Sequence, residues 1–257
     1  MIVVKLGGSV ITDKRTEGKI RKRIIDRLIW EIKKSGEKFS IVHGAGSFGH
    51  IPAERYQLHR GLKERSQLEG FHLTHHSVRL LNSEVMNVLF KHRIPSVSIS
   101  PLCFIEMRNG RIESIDLSKF DKALSIGLTP VSFGDVVFDS EKGFSICSGD
   151  DIVLHLALHF KPDKVVFIMD EDGIFDRDPK RYRNVRFLKD VRVDELPSAE
   201  GRNSYIDVTG GMRKKIGIIK RIANNGIDVY VVNGNKIGRV YGVLTGKKVK
   251  RTRVIGC

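Results

Sequence analysis

Apolar residues come along this chain in short continuous runs, separated by stretches with helical spacing. Residues 1–6, MIVVKL, read as a buried strand. Residues 19–36, KIRKRIIDRLIWEIKKSG, place Ile20, Ile24, Leu28 and Ile32 four apart, which predicts one helical face stopped by Gly36. KFSIV (38–42) is a second strand and runs straight into the glycine loop HGAGSFGH (43–50). A long helix is predicted from Gln67 to Lys91, with Phe71, Val78, Leu81, Val85 and Leu89 inward. PSVSIS (95–100) and TPVSF (129–133) are strands, and DVVFDSEKGFSIC (135–147) is two extended runs about a turn-rich DSEKG, a hairpin. DDIVLHLALHF (150–160) is a helix ended by Pro162, and DKVVFIMD (163–170) a buried strand. A helix over 211–226, a strand over 227–234 and a short helix over 236–246 follow.

Strands alternate with helices almost throughout, and the strand runs are continuously apolar. Both faces of the sheet must therefore be covered, which predicts an α/β fold: an αβα sandwich about a mainly parallel sheet. The 257 residues suffice for one such domain or two closely joined lobes, with a boundary expected near Lys161-Pro162. No apolar run approaches the roughly 18 residues of a membrane span, and the start lacks the features of a signal peptide. The three cysteines, Cys103, Cys147 and Cys257, are dispersed and form no C-x-x-C, so they read as reduced thiols in a cytoplasmic protein.

Charge changes the picture. Lys and Arg number 45 against 30 Asp and Glu, a net charge of +15, which points to anionic partners. The basic residues are spread at helical spacing beside acids, the pattern of a solvated face, and no nucleic-acid-binding signature accompanies them. A small anionic substrate needs only a few of them.

In open α/β sheets ligands sit beyond the carboxyl ends of the strands. Three glycine-rich stretches fall at strand or helix ends: 7–9 (GGS), 43–50 and 208–211 (VTGG). Glycine lets backbone N–H groups converge on phosphate oxygens, and a helix N-terminus adds its dipole. No G-x-x-x-x-G-K-[ST] is present. GAGSFG matches G-x-G-x-x-G, but no strand ending in an acid follows at the spacing of a dinucleotide site. Lys5, Lys14 and Lys215 accompany the glycines and could together neutralise a phosphate chain and a migrating phosphoryl group. His50 closes the second loop. His43 reads as structural. His72, His75 and His76 share a helix, but no Cys or carboxylate joins them at metal-ligand spacing.

These residues carry a resemblance over essentially the whole chain. KLGGSVITDK (5–14), VHGAGSFGH (42–50), GDVVFD (134–139), ICSGDD (146–151), DEDGIFDRDP (170–179), DVTGGMRKKI (207–216) and VVNGNK (231–236) resemble the amino-acid kinase superfamily, and GSFGH is specific to its isopentenyl phosphate kinase branch. The resemblance implies an acceptor-binding lobe over 1–161 and a nucleotide-binding lobe over 162–257. It implies transfer of the γ-phosphoryl group of ATP to isopentenyl phosphate, giving isopentenyl diphosphate in an alternative mevalonate route, with Mg²⁺ arriving on ATP and a homodimer as the assembly. By the same resemblance Lys5, Gly7, Gly8 and Ser9 contact ATP phosphates, and Lys14 and Lys215 stabilise the transferring group. Ala45, Gly46 and Gly49 line the junction of the two phosphates, and His50 binds the acceptor phosphate with Gly149 closing over it. Asp150 orients the lysines, and Asp170, Asp172, Gly173, Asp178 and Gly211 line the nucleotide site.

Two departures stand out. Met169-Asp170 replaces the usual T-D, which touches the adenosine side, and Arg251-Thr252 replaces G-T, which bears on strand packing. A phosphomonoester, with a second pKa of about 6, is already largely dianionic and can attack without a general base. A kinase for another acid, nucleoside monophosphate or phosphonate on the same fold remains an alternative, as does, in another class, a basic nucleic-acid-binding protein.

Overall fold

The computed structural model describes residues 1–177, 182, 184–197 and 211–256. Strand β1 (Ile2–Leu6) leads through a short helix, α1 (Gly8–Ile11), to α2 (Lys22–Lys34) and β2 (Phe39–His43). Helices α3 (Gly46–Arg55) and α4 (Ser66–Lys91) precede β3 (Ser96–Ser98). A hairpin follows, β4 (Ile105–Arg108) and β5 (Arg111–Ile115), then α5 (Ser118–Ser125) and β6 (Thr129–Phe133). A second hairpin, β7 (Asp135–Asp139) and β8 (Gly143–Cys147), leads into α6 (Gly149–Phe160) and β9 (Lys164–Met169). Short strands β10 (Ile174–Phe175), β11 (Phe187–Leu188) and β12 (Asp190–Arg192) precede α7 (Gly211–Ala223), β13 (Val229–Asn233), α8 (Arg239–Leu244) and β14 (Thr252–Ile255).

The main sheet has eight strands in the order β12-β14-β13-β9-β1-β2-β6-β3. Every pairing in it is parallel except β13 with β14. The two hairpins form a separate four-stranded sheet, β5-β4-β7-β8. Two cores cover the two faces of the main sheet. Ile2, Val4 and Leu6 of β1 point into one, with α2, α4 and α8; Val3 points into the other, with α6 and α7. The period of two in a strand therefore turns Lys5 toward α6 and α7, the face it shares with Val3. Among the described residues no helix is long and apolar enough to cross a membrane.

The periodicity of the first helix needs correction. Ile20 precedes the helix and bridges Thr12, and the buried face of α2 is Ile25, Leu28, Ile29 and Ile32. Both Ile24 and Ile25 fit a helical stripe; Ile25 is buried, while Ile20 and Ile24 are partly buried at the margin of the same core. Phe71 is half-buried, whereas Val78, Leu81, Val85 and Leu89 are buried as the pattern predicts. The stretch 101–128 carries no clear period in the sequence, yet it holds β4, β5 and α5.

Both hairpins are pinned by one carboxylate. Asp139, 4% exposed, accepts from the backbone N–H groups of Asn109, Gly110, Glu141 and Lys142 and from the Ser145 hydroxyl, at 2.6–3.0 Å. Burial alone would raise its pKa, but these donors outweigh it and hold the carboxyl well below the ordinary range. A group more acidic in the folded state stabilises the fold above its unfolded pKa, and that contribution fades as pH falls toward the folded value. Asp139→Asn should therefore lower the Tm at neutral pH and lose less further stability than wild type as pH drops below 3.8. Thermal melts across pH measure both, and identical acid dependence in the two proteins would remove Asp139 from this role.

Candidate functional site

The loops that follow β1, β2, β9 and β13 all leave the same carboxyl edge of the sheet. β2 lies on one side of β1 and β9 on the other, so the chain reverses direction across the sheet at β1, the place where such folds bind ligands.

Two of these loops touch backbone to backbone. A Cβ on Gly8 would stand 2.4 Å from the N of Gly46, and one on Gly44 would stand 2.7 Å from the N of Gly8. Gly46 adopts φ +53°, and a Cβ there would meet the Thr12 hydroxyl at 2.2 Å. Thr12 donates that hydroxyl to the Gly8 carbonyl (2.8 Å) and accepts from the Ser47 N–H (3.1 Å), tying the loops together. The glycines are thus required by loop–loop packing before any ligand is considered. The second glycine stretch is also less of a loop than its sequence suggests, since α3 begins at Gly46. The start of α6 stands close by: a Cβ on Gly149 would lie 3.0 Å from the His43 carbonyl and 3.1 Å from Cε of Lys5. Helices α1, α3 and α6 therefore begin around one lysine, and their first-turn N–H groups make that region electropositive.

Beneath these loops lies a charged chain. Lys5 and Lys215 each approach one oxygen of Asp150 at 2.5 Å, with the three side chains 6%, 16% and 11% exposed. The strand β1 and the helices α6 and α7 meet through this contact. Burial would raise the Asp150 carboxyl, but Lys5 and then Lys215 hold it well below the ordinary range. Lys215 is in turn less basic than usual, because burial and the Lys5 charge outweigh its share of Asp150. Two ammonium groups and one carboxylate leave a net charge of +1 in a buried place, an arrangement that an arriving anion relieves.

Around this centre, Asp170 accepts from Ser9 (2.7 Å) and pairs with Lys14 (2.6 Å), and these partners lower its pKa against the effect of burial. Lys14 is itself half exposed. Asp172 receives Arg239 (2.6 Å), Lys250 (2.7 Å) and the Asn233 amide (3.0 Å), which bring it to about 2. His50 opens to solvent on the first turns of α3, and its ring makes no hydrogen bond to the described residues. Its packed surroundings, and then the Lys5 charge, lower its pKa; in its neutral form the ring offers one N–H. His43 is fully buried, stacked on Phe133 and bonded to Asn82 and the Gly44 carbonyl, with its pKa lowered to about 4 by burial. His75 does find a carboxylate, Asp135 at 2.8 Å, and is paired with it.

The structure thus brings together Lys5, Gly7, Gly8, Ser9, Lys14, Ala45, Gly46, Gly149, Asp150, Asp170 and Lys215. Gly49 lies one turn into α3, where a Cβ would press on Ala45 (2.4 Å) and Val78 (3.1 Å). Asp172 and Gly173 stand farther along the same edge, after β9. Gly211 opens α7, and Asp178 lies outside the described residues, as do residues 208–210 of the third glycine stretch. Thr12 and Asn233 fall inside the motifs 5–14 and 231–236 but were assigned no role, and Arg239 and Lys250 were not singled out; the one local signal is that Thr12 stands four residues after Gly8, the spacing of its bond to that carbonyl.

This fold, with its glycine-lined edge, is that of a phosphotransferase family. The chain belongs to the amino acid kinase family, whose model matches residues 1–233. Over its whole length it is similar to isopentenyl phosphate kinases. It is 38% identical to that of Methanothermobacter thermautotrophicus, covering 100% of this chain and 99% of the relative. It is 35% identical to that of Methanocaldococcus jannaschii, covering 96% of each. A solved isopentenyl phosphate kinase structure superposes with a TM-score of 0.86 at 35% identity, covering 99% of each chain.

The Asp150 contact sets a direct expectation. Removing its charge leaves two buried ammonium groups without a counter-ion, a change that costs about 3–5 kcal/mol where a buried pair is broken. Asp150→Asn should show that loss in urea denaturation, and adding Lys215→Met should restore part of it. A single variant as stable as wild type would mean that water already screens the contact.

Proposed function

We propose that the protein transfers the γ-phosphoryl group of ATP to isopentenyl phosphate, forming isopentenyl diphosphate and ADP for isoprenoid synthesis. The observation that carries this reading is the buried, net-positive Lys5–Asp150–Lys215 contact beneath the paired glycine loops, with His50 at the mouth. Such a site suits an acceptor that is already an anion. It offers cations and N–H groups to phosphate oxygens, and a dianionic acceptor attacks without giving up a proton.

The roles divide by position. Lys5, Gly7, Gly8 and Ser9, from the first lobe, hold the ATP phosphates together with Lys215, while Asp170, Asp172, Gly173 and Gly211 line the nucleotide side from a lobe over 162–257. Ala45, Gly46, Gly49, His50 and Gly149 hold the acceptor phosphate in a lobe over 1–161. Asp150 keeps the two buried lysines apart and aimed. Lys14, parked on Asp170, is the cation that follows the moving phosphoryl group. The hydrocarbon tail lies toward Phe71 of α4, whose ring meets those of Phe138 (6.1 Å) and Phe144 (5.4 Å) on the second hairpin.

Magnesium is part of the proposal. No cluster of three metal-ligating side chains occurs among the described residues, and Asp170 and Asp172 are already engaged by cations. That donor set fits an ion held by ATP phosphates and water, as Mg²⁺ commonly is. When bound, the ion offsets charge on the phosphate oxygens. The cytoplasm as location and a second copy of the chain as partner complete the reading.

ADP release measured with isopentenyl phosphate against glutamate, aspartate, nucleoside monophosphates and phosphonates tests the assignment. Turnover confined to another acceptor would overturn it. Lys14→Ala should lower kcat on the order of 10²-fold or more with little change in ATP affinity. His50→Ala should lower kcat/KM for isopentenyl phosphate about 10- to 150-fold, the worth of a hydrogen bond to a charged group. His50→Gln should recover part of that loss, because a donor is needed there and not a base. Calorimetry should find ATP binding to the His50 variants unchanged; lost ATP affinity with normal acceptor kinetics would reverse the two sides of the site.

A further inference from the structure

One buried hydroxyl outside the site described above joins three segments at its nucleotide side. Thr252, at the start of β14, is fully buried. Its Oγ1 accepts from the N–H of Ile174 at 2.8 Å and donates to the carbonyl of Leu188 at 2.5 Å. The same oxygen faces Gly173, where a Cβ would come within 2.5 Å of it and 2.8 Å of the Phe187 ring. Gly173 holds φ +153°, a conformation that side chains other than glycine rarely adopt. The hydroxyl therefore fixes the turn after β9 from one side, and Asp172 is the residue just before Gly173 in that turn. Asp172 is fixed from the other side by Asn233, at the end of β13, and by Arg239, at the start of α8. β14 pairs with β13 through Thr252 and Val231, so the hydroxyl and the Asn233 amide are held by one pair of strands.

We infer that Thr252 is a positioning residue for nucleotide binding: its hydroxyl sets the 170–173 turn so that Asp172 and Gly173 face the nucleotide. A methyl group in place of the oxygen would leave the Ile174 N–H and the Leu188 carbonyl without their partner and free the turn to shift. The loss falls on nucleotide affinity, because Thr252 stands on the far side of the sheet from β2 and α3, where the acceptor loop begins.

This rests on the assignment of 170–173 to the nucleotide, and the experiment separates the two. Thr252→Val keeps the side-chain shape and removes both hydrogen bonds; Thr252→Ser keeps the hydroxyl. Steady-state kinetics well below the melting temperature should give Thr252→Val a KM for ATP roughly tenfold higher, the order expected for one or two lost hydrogen bonds. The KM for the acceptor and kcat should stay close to wild type, and Thr252→Ser should behave as wild type. A loss of folded protein alone would lower the apparent kcat with both KM values unchanged, so the split between KM and kcat distinguishes the roles. If Thr252→Val does not fold, Thr252→Cys, which matches Ser in shape but bonds weakly through sulfur, takes its place in the comparison with Thr252→Ser. Asp172→Ala serves as the control for the site. If it weakens ATP binding in calorimetry while the hydroxyl-free variants do not, the inference about Thr252 fails and the nucleotide assignment stands. If none of them changes ATP binding, the assignment fails and the inference with it.

Discussion

A single carboxylate shared by two ammonium groups organises this protein. Lys5 comes from the first strand, Asp150 from a helix that leaves the second hairpin, and Lys215 from a helix late in the chain. Their contact spans 145 residues on one side and 65 on the other. Buried charge is costly unless paired, so packing of the three elements is favoured in the arrangement that keeps the contact intact. The pleat of β1 does the aiming. Val3 and Lys5 point to the α6 and α7 face, while Ile2, Val4 and Leu6 fill the core opposite. One strand thus supplies both cores and the central cation of the site.

The glycine loops follow from the same closeness. With β1 and β2 adjacent in the sheet, the loops after them leave side by side, and Gly8 and Gly46 approach within a distance that a Cβ would forbid. What looks like a site built for a ligand is first a solution to packing two chain reversals at neighbouring strand ends. The consequence for chemistry is that N–H groups from several helix starts face one space, over a buried positive charge. The packing constraint and the proposed phosphate binding share one cause, so substitution at Gly46 would disturb both together. Activity loss there cannot be assigned to ligand contact alone, which makes Lys14 and His50, both exposed and outside the packed centre, the cleaner probes.

The central strands β1, β2, β6, β9 and β13 were legible because they are buried on both faces and therefore nearly continuously apolar, whereas β12 and β14, buried only at alternate residues, went unread. TPVSF and the 135–147 hairpin match the observed elements closely. The stretch 101–128 was not legible, because β4 is buried only at alternate residues and β5 hardly at all, which leaves short runs with little apolar signal. In α2 the two adjacent isoleucines fit alternative stripes, and only the fold shows that Ile25 is the buried one. The glycines and Lys5, Lys14 and Lys215 could be singled out by type and place. Thr12, Asn233, Arg239 and Lys250 could not, because their function lies in what they touch, and those partners are far away in sequence.

Asp172 shows how such partners change the meaning of a residue. By type, an acidic turn at a phosphate site is unfavourable, since like charges repel. In the fold, Arg239 and Lys250 close on its two oxygens and the Asn233 amide supports one of them. The carboxylate is thereby neutralised and fixed, and the cations it gathers stand at the edge where the anion is proposed to bind. Asp170 is arranged in the same way with Lys14 and Ser9. In both places the acid holds a flexible cation at a defined position, and long basic side chains lose much of their conformational freedom before a substrate arrives. That ordering lowers the entropic cost of binding. On the proposed function, it explains why a site for a highly charged ligand pair would keep its carboxylates: they pre-position the lysines and arginines, as Asp150 does for the buried pair.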